Sequence, residues 1–340
     1  MRTTTALVRR WLAGLDALRI VDEASVSEVR ETVRAASGRL GIGKVPAESL
    51  VTAASELAHN QLRHARGGAI AVRPIVRLGV PGLEVVAADA GEGIADPSSA
   101  LGAGPSTAGG LGIGLHGVLQ LSDEVDFDVR QGEGTCVWAR KFAEALPRRR
   151  KVAIFGRPIT GEVVSGDDAA FARLDGDALA VAVADGLGHG VEARAASNAA
   201  IDAFLAAPDR APDAALAAAH DELGDTRGAV MAVARLGADG AVAASSVGNV
   251  TMHVAGRKSS RRFGAQTWVL GQRAPRRPYT LERASIEPHE MLVLFSDGLG
   301  SKLGLDGDDD LLREPPLVTA HELLKRYGKD HDDALVLVAR

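Results

Sequence analysis

Four aspartates stand where apolar runs meet turns, an arrangement that suits metal chemistry. The stretch Leu179 to Gly190, LAVAVADGLGHG, is apolar as far as Asp185 and glycine-rich beyond it. Its Ala and Val content reads as a buried strand that leaves the core at Asp185. The segment before it reads as a hairpin, with a strand over 169–174, a turn at Asp175-Gly176-Asp177 and a strand over 178–184. An antiparallel hairpin returns to where it began, so Asp167 is expected beside Asp185. The construction recurs near the C-terminus, where MLVLFSDG, Met291 to Gly298, ends on Asp297 and a further strand follows Asp332 and Asp333. As antiparallel neighbours, those strands put Asp297 and Asp332 at one end. Carboxylates gathered there repel one another, and hard oxygen-seeking cations such as Mg²⁺ or Mn²⁺ relieve the repulsion. The reading is a two-metal hydrolytic site.

A second constellation lies in the first half. Glu56, Asn60 and His64 are spaced i, i+4, i+8 and share one helix face. A polar stripe alone is ordinarily a solvated side, but the next hundred residues of chain add to this one. LEVVAADAGEGI, Leu83 to Ile94, is a strand ending on Asp89, with glycines beyond it that let backbone approach a flat ligand closely. After a Gly/Pro/Ser loop over 96–108, GGLGIGLHGVLQL places Gly109, Gly110, Gly112 and Gly114 ahead of a helix whose N–H groups suit phosphate. Gly112-x-Gly114-x-x-Gly117 formally matches the dinucleotide fingerprint, but a polar loop stands where that motif needs a strand, so the match is false.

Helices and strands must position these residues. Ser25 and Glu28 make a capping box for a helix over about 25–39, with Val26, Val29 and Val33 at helical spacing. Pro46 suits the first turn of a second helix that runs to about Ala65. LPRRRK, Leu146 to Lys151, reads as a solvated linker. Beyond it, helices are expected from Gly190 and over 212–223, with strands about turns at 238–240 and at Gly248-Asn249. Helices grouped between hairpin-connected strands argue for an α+β sandwich rather than a parallel sheet.

With 340 residues, 46% hydrophobic and 24% charged, the chain builds two ordinary domains. A net charge of −5 disfavours nucleic acid. No run approaches the roughly 18 apolar residues of a membrane span. The opening segment carries arginines, but Asp16 comes soon after and no cleavage signal does, so it reads as an ordinary N-terminal segment. A single cysteine, Cys136, forms no internal disulfide and suits a reducing cytosol, so the expected location is cytoplasmic.

Together ELAHN, DAGEGI, GGLGIGLHG and GEGT, Gly132 to Thr135, resemble the ATP-binding boxes of the GHKL superfamily over residues 18–143. Within it the closest resemblance is to the small serine/threonine switch kinases of bacterial stress signalling. The resemblance implies a Bergerat α/β sandwich that binds ATP with Mg²⁺ held by Asn60. Glu56 would act as base or orient the attacking hydroxyl, and Asp89 would accept a hydrogen bond from the adenine amino group. Gly91, Gly93, Gly110, Gly112, Gly114 and Thr135 would line the nucleotide. Such chemistry is sensible, since phosphoryl transfer needs positioning and charge neutralisation.

The second half, with SGD, DGLGHG, TRGA, VGN, FSDG and a terminal DD, resembles metal-dependent PP2C-type phosphatases of the sporulation and stress-response branch. The resemblance implies a β-sandwich flanked by helices, with Asp167, Asp185, Asp297, Asp332 and the Gly186 carbonyl as ligands of two Mn²⁺ or Mg²⁺ ions. Asp333 stands where relatives have Asn or Asp. Asp185 bridges both ions in this scheme, and water attacks phosphoserine or phosphothreonine directly without a cysteine nucleophile. Arg227 is a candidate phosphate clamp, with a surface ion pair as the competing role. His189 is assigned a structural hydrogen bond. The acidic run 306–310 lacks calcium-loop spacing and reads as solvated.

The expected organisation is a GHKL switch-kinase-like domain over 1–145, a linker over 146–151 and a PP2C-like domain over 152–340. The expected function is a bifunctional regulator, a kinase fused to an opposing phosphatase, acting on STAS-domain partners. The sequence leaves two alternatives open: an ATP sensor controlling a single phosphatase, or an anti-sigma-type binding module.

Overall fold

The computed structural model describes residues 5–102, 114–257, 260–272, 277–300, 303, 308 and 310–340. The chain divides into two compact units, Met1–Lys151 and Val152–Arg340.

In the first unit the elements run α1 (Ala6–Trp11), β1 (Ala17–Ile20), α2 (Glu23–Arg39), α3 (Lys44–His64), β2 (Gly68–Arg77), β3 (Val80–Asp89), α4 (Pro97–Leu101), α5 (Gly114–Leu121), β4 (Glu124–Arg130) and β5 (Gly134–Phe142). The strands form an antiparallel sheet in the order β1-β2-β3-β5-β4. Residues alternate between its faces. Ala71, Val86, Ala88 and Cys136 pack on one side against Leu7, Val8 and Trp11 of α1. On the helical layer, α3 packs with α2 and α5 and against β2, β3 and β5.

The structure corrects three local expectations. The cap of α2 is Asp22, not Ser25: Ser25 N donates to Asp22 Oδ1 at 2.9 Å and Asp22 N to Ser25 Oγ at 3.1 Å. The two residues form a reciprocal capping box with Asp22 at the N-cap and Ser25 at N3, which starts the helix two residues earlier than the sequence reading. The polar loop from Asp96 contains the short helix α4, because the Asp96 carboxylate takes the Ser99 amide and Pro97 occupies the first turn. The opening segment is also more than a featureless terminus, since the Trp11 indole donates to buried Asp128 at 3.0 Å.

The basic stretch Leu146 to Lys151 leaves Pro147, Arg148 and Lys151 exposed but is held at two points. Arg149 Nε and Nη2 donate to Glu124 Oε2 at 2.9 and 2.5 Å, and Arg77 Nη2 donates to Pro147 O at 2.7 Å. Glu124 at the start of β4 is buried and needs these cations.

The second unit contains β6 (Val152–Arg157), β7 (Asp167–Arg173), β8 (Leu179–Gly186), α6 (Gly190–Ala206), α7 (Pro212–Glu222), β9 (Ala229–Leu236), β10 (Ala241–Val247), β11 (Thr251–Ala255), β12 (Ser260–Arg262), β13 (Glu282–Ser285), β14 (Met291–Phe295), α8 (Pro316–Tyr327) and β15 (Ala334–Ala339). Two antiparallel sheets, β6-β15-β14-β11-β12 and β13-β10-β9-β8-β7, enclose one core. Along β8, Leu179, Val181 and Val183 face that core, each stabilising by about 1.5–3 kcal/mol. Ala180, Ala182 and Ala184 face α6 and α7. Small side chains on that face let the helices lie close to the sheet. Helix α8 covers β6 and β15 on the other side, so the order of layers is helix, sheet, sheet, helix.

This is the mixed α+β architecture expected of both halves. The turn at Gly248-Asn249 does more than close a hairpin, because β10 and β11 belong to different sheets. Among the described residues no helix is long and apolar enough to cross a membrane.

Candidate active sites

In the second unit the ladder itself brings the first two aspartates together. Asp167 and Asp185 are register partners across β7 and β8. Both belong to the strands, which at this end run past the expected limits of 169 and 184 because the ladder continues through Asp168, while at the turn they stop at Arg173 and Leu179, one residue short of the expected 174 and 178. Asp297 lies two residues beyond β14, and Asp332 two residues before β15, its antiparallel neighbour. Asp297 lies close enough to Asp185 to raise its carboxyl further above the ordinary range.

Two Asp-Gly dipeptides make this convergence possible. A Cβ on Gly186 would sit 1.9 Å from the Ala193 carbonyl oxygen, and one on Gly298 would sit 1.7 Å from the Asp333 carbonyl oxygen. Any side chain there would push the aspartate-bearing strand end away from its neighbour.

The cost of gathering these groups appears in their protonation. Burial, then the charges of neighbouring aspartates, pushes Asp185 up to about 10. Asp167 is pushed up to about 8 by burial, against a lowering from Ser296 and with Asp333, Asp297 and Asp332 adding to the rise. Asp332 is raised by burial and Asp297, with Lys329 opposing. Without a cation Asp167 and Asp185 hold their protons at neutral pH.

Several supporting residues escape the sequence reading. Ser296 Oγ donates to Asp167 Oδ2 at 2.6 Å and accepts from Leu335 N at 3.0 Å, tying β14, β15 and β7 together. Asn249, carried across by the inter-sheet turn, donates to Asp297 Oδ2 at 2.5 Å. Buried Arg194 of α6 donates to Ser165 O at 2.6 Å, and Ser165 Oγ accepts from Asp167 N at 3.0 Å. The motifs SDG, VGN and SGD contain Ser296, Asn249 and Ser165, but only the three-dimensional contacts assign them work.

Asp333, left open by the sequence, accepts from Ile159 N at 2.7 Å and Gly166 N at 2.8 Å. Both its oxygens serve the loop between β6 and β7. His189 makes a hydrogen bond to Glu162 at 3.0 Å, and Arg227 forms an exposed ion pair with Glu192, the plainer role in each case. Asp308 of the acidic run accepts from Leu311 N at 3.0 Å and pairs with Arg326 at 2.7 Å, so it is engaged rather than merely solvated. Asp306 and Asp309 lie outside the described residues.

Among the described residues no three acidic, histidine or cysteine side chains are drawn together as a finished cage for an ion. Asp167 turns one oxygen to Ser296 and Asp297 turns one to Asn249. The donor set nevertheless fits hard divalent cations: it is all oxygen, and burial together with the neighbouring aspartates suppresses its ionisation, a cost that a bound cation would offset.

In the first unit, Glu56 is buried on α3, Asn60 is half-buried one turn later and His64 is exposed. Asp89 closes β3 opposite Thr135 of β5. Its carboxylate accepts from Gly91 N at 2.9 Å and from the Thr135 amide, while burial pushes it up to about 6. A Cβ on Gly91 would meet Ala65 Cβ at 2.8 Å, so the Asp89 turn abuts the end of α3, the helix that carries Glu56 and Asn60. Gly93 lies close against Arg130 and Gln131 in the β4–β5 hairpin. Gly114 begins α5, which packs on α3. Gly110 and Gly112 lie outside the described residues. A close-approach turn with a half-buried acceptor at a helix end fits an adenine nucleotide.

A histidine kinase-like ATPase domain and a PP2C-type phosphatase domain therefore succeed one another along the chain. Residues 21–141 match the family of histidine kinase-like ATPase domains, and residues 175–340 match Stage II sporulation protein E. Serine/threonine-protein kinase RsbT of Bacillus subtilis (strain 168) is 38% identical over 125 residues, covering 37% of this chain and 94% of that protein. A protein solved in work on the bacterial stressosome as a modular system controlling secondary messenger signalling is 29% identical, with a TM-score of 0.53 over 57% of this chain and 100% of that one. RsbX, solved with magnesium, is 20% identical, with a TM-score of 0.49 over 57% of this chain and 96% of that one. Through its first unit the chain belongs to the RsbT family of histidine kinase-like ATPases, and its second unit is a PP2C-type protein phosphatase.

Proposed function

We propose that the chain is a bifunctional regulator of bacterial stress signalling, an ATP-dependent serine/threonine kinase joined to an opposing metal-dependent phosphatase. Its substrates in this reading are serine or threonine residues of STAS-domain partner proteins. The observation that carries the reading is the register pairing of buried Asp167 with half-buried Asp185, both carboxyls raised by burial and by the neighbouring aspartates. Identity to RsbT across nearly the whole of that kinase supports the other half.

In the phosphatase unit, Asp167, Asp185, Asp297, Asp332 and the Gly186 carbonyl would hold two divalent cations, Mn²⁺ or Mg²⁺. When bound, such ions acidify water and neutralise charge on the transferring phosphoryl group. Ser296 and Asn249 keep Asp167 and Asp297 oriented toward the shared edge. In the kinase unit, Asn60 would hold Mg²⁺ with ATP, Asp89 would accept from the adenine amino group, and Glu56 would orient the partner's hydroxyl or take its proton. Gly91, Gly93, Gly114 and Thr135 would give the nucleotide close backbone contact.

The test is to incubate the purified chain with candidate STAS-domain proteins and ATP labelled at the γ-phosphate. Label should move onto the partner and then leave it as inorganic phosphate when Mn²⁺ is added. A partner that is never labelled, while pre-phosphorylated partner is hydrolysed, would leave the first unit as a nucleotide sensor.

A further inference from the structure

In the second unit a groove of about 390 Å³ opens where the β10–β11 turn meets β12. Its lining includes buried Thr251 and Phe263, exposed Arg262 and, at one lip, exposed Asn249. Arg262 Nη2 donates to Thr251 Oγ1 at 2.9 Å, so the guanidinium is held along the groove. Asn249 is at once a wall of the groove and the hydrogen-bond partner of Asp297, at 2.5 Å. The groove therefore begins one side chain away from the carboxylate cluster.

Its surroundings are basic. Arg261, Arg262 and Arg283 are all exposed, and Arg261 Nη2 reaches across to Arg283 O at 3.0 Å. The nearby carboxylate of Glu282 is engaged by the Gly264 amide at 2.8 Å. Strand β12 is a sheet edge, and charge on an edge strand discourages pairing with another chain. That purpose requires no cavity, however, and the cavity here has a buried floor and a guanidinium at its wall. A planar guanidinium matches a carboxylate through paired N–H donors.

We propose that this groove receives an acidic side chain flanking the phosphoserine of the protein substrate, so that the phosphatase is directed to acidic sequence contexts. The proposal rests on the phosphatase reading of the neighbouring aspartates. With three extended residues spanning about 10 Å, the acidic position lies within about three residues of the phosphoserine.

Two phosphoserine peptides, identical except for Asp or Ala at the flanking positions, test this with the full chain and Mn²⁺. Wild type should show kcat/KM about tenfold higher for the Asp peptide, the scale of one charge-assisted hydrogen bond. Arg262→Glu should bring that ratio to one or below, and Arg262→Ala should fall between. A wild-type ratio of one, or a ratio unchanged in Arg262→Glu, overturns the proposal while hydrolysis of the Ala peptide keeps the phosphatase reading intact. If neither peptide is hydrolysed, that reading fails, and fluorescence anisotropy of the labelled Asp peptide still decides the groove. Tighter binding to wild type than to Arg262→Glu supports it, and equal binding overturns it.

Discussion

Asp167 and Asp185 face each other directly across the β7–β8 ladder, with their carboxyls pushed up to about 8 and about 10. Unfolded, both would titrate near 3.9. The folded metal-free chain therefore binds more protons than the unfolded chain between those limits, and its stability falls as pH rises through them. In EDTA the second unit should melt at a lower temperature at pH 8.5 than at pH 6. Mn²⁺ should reverse the order, because the ionised set binds it and binding stabilises the native state. Scanning calorimetry showing one pH trend with and without metal would remove the cation from the account.

Asp185→Asn separates charge repulsion from catalysis. An amide keeps the shape but has one acceptor oxygen and no charge. Metal-free stability at pH 8.5 should rise, because folding no longer has to protonate a carboxyl that is ionised in the unfolded chain. Hydrolysis of a phosphoserine substrate should fall by more than the roughly 10–100-fold that loss of an outer partner costs. A variant that loses stability in EDTA and keeps its rate would mark Asp185 as a structural residue.

How far these sites could be read from sequence depends on how local their causes are. The hairpin that pairs Asp167 with Asp185 is set by alternation and a turn within 20 residues, and its register is the expected one. The roles of Ser296 and Asn249 depend on partners 129 and 48 residues away, and no local pattern encodes those contacts. Asp333 is similar, since its two amide partners are more than 160 residues away. At α2 the cause is local but ambiguous: Asp22 takes the N-cap and Ser25 the N3 place of one reciprocal box, and the Ser25–Glu28 spacing alone does not distinguish that from a cap at Ser25.

Ser296→Ala should expose the value of that long-range tie. It removes a buried hydroxyl that serves both the Asp167 carboxyl and the Leu335 amide. The loss is about 2 kcal/mol, or roughly 4–8 °C in the melting of the second unit. Since Ser296 lowers the pKa of Asp167, the variant should also need more Mn²⁺ for half-maximal activity. A shift in melting alone, with the metal titration unmoved, would restrict Ser296 to packing.

In the first unit, Asn60→Ala should abolish Mg²⁺-dependent ATP affinity and leave the fold intact, because Asn60 is only half-buried on α3. Glu56→Ala should keep ATP binding and lose transfer to a partner. Calorimetric titration with Mg-ATP distinguishes the two, and unchanged binding by Asn60→Ala would displace the nucleotide site.

Asp89 should leave a pH signature on nucleotide binding. Burial pushes its carboxyl up to about 6, even though the amides of Gly91 and Thr135 pull it back. Only the ionised form presents both oxygens as acceptors, so an adenine amino group is held best above that value. Between pH 7.5 and pH 5 the ionised fraction falls to about a tenth, and ATP affinity should weaken by about tenfold on this account. The phosphates of ATP also gain protons in this range, which alone would weaken binding. Asp89→Asn isolates the protein's share, since an amide cannot titrate and retains one acceptor oxygen. The variant should bind more weakly than wild type at pH 7.5, and its affinity should change less on acidification. Parallel pH profiles for wild type and Asp89→Asn would show that the titrating group is the nucleotide and that Asp89 does not hold the base.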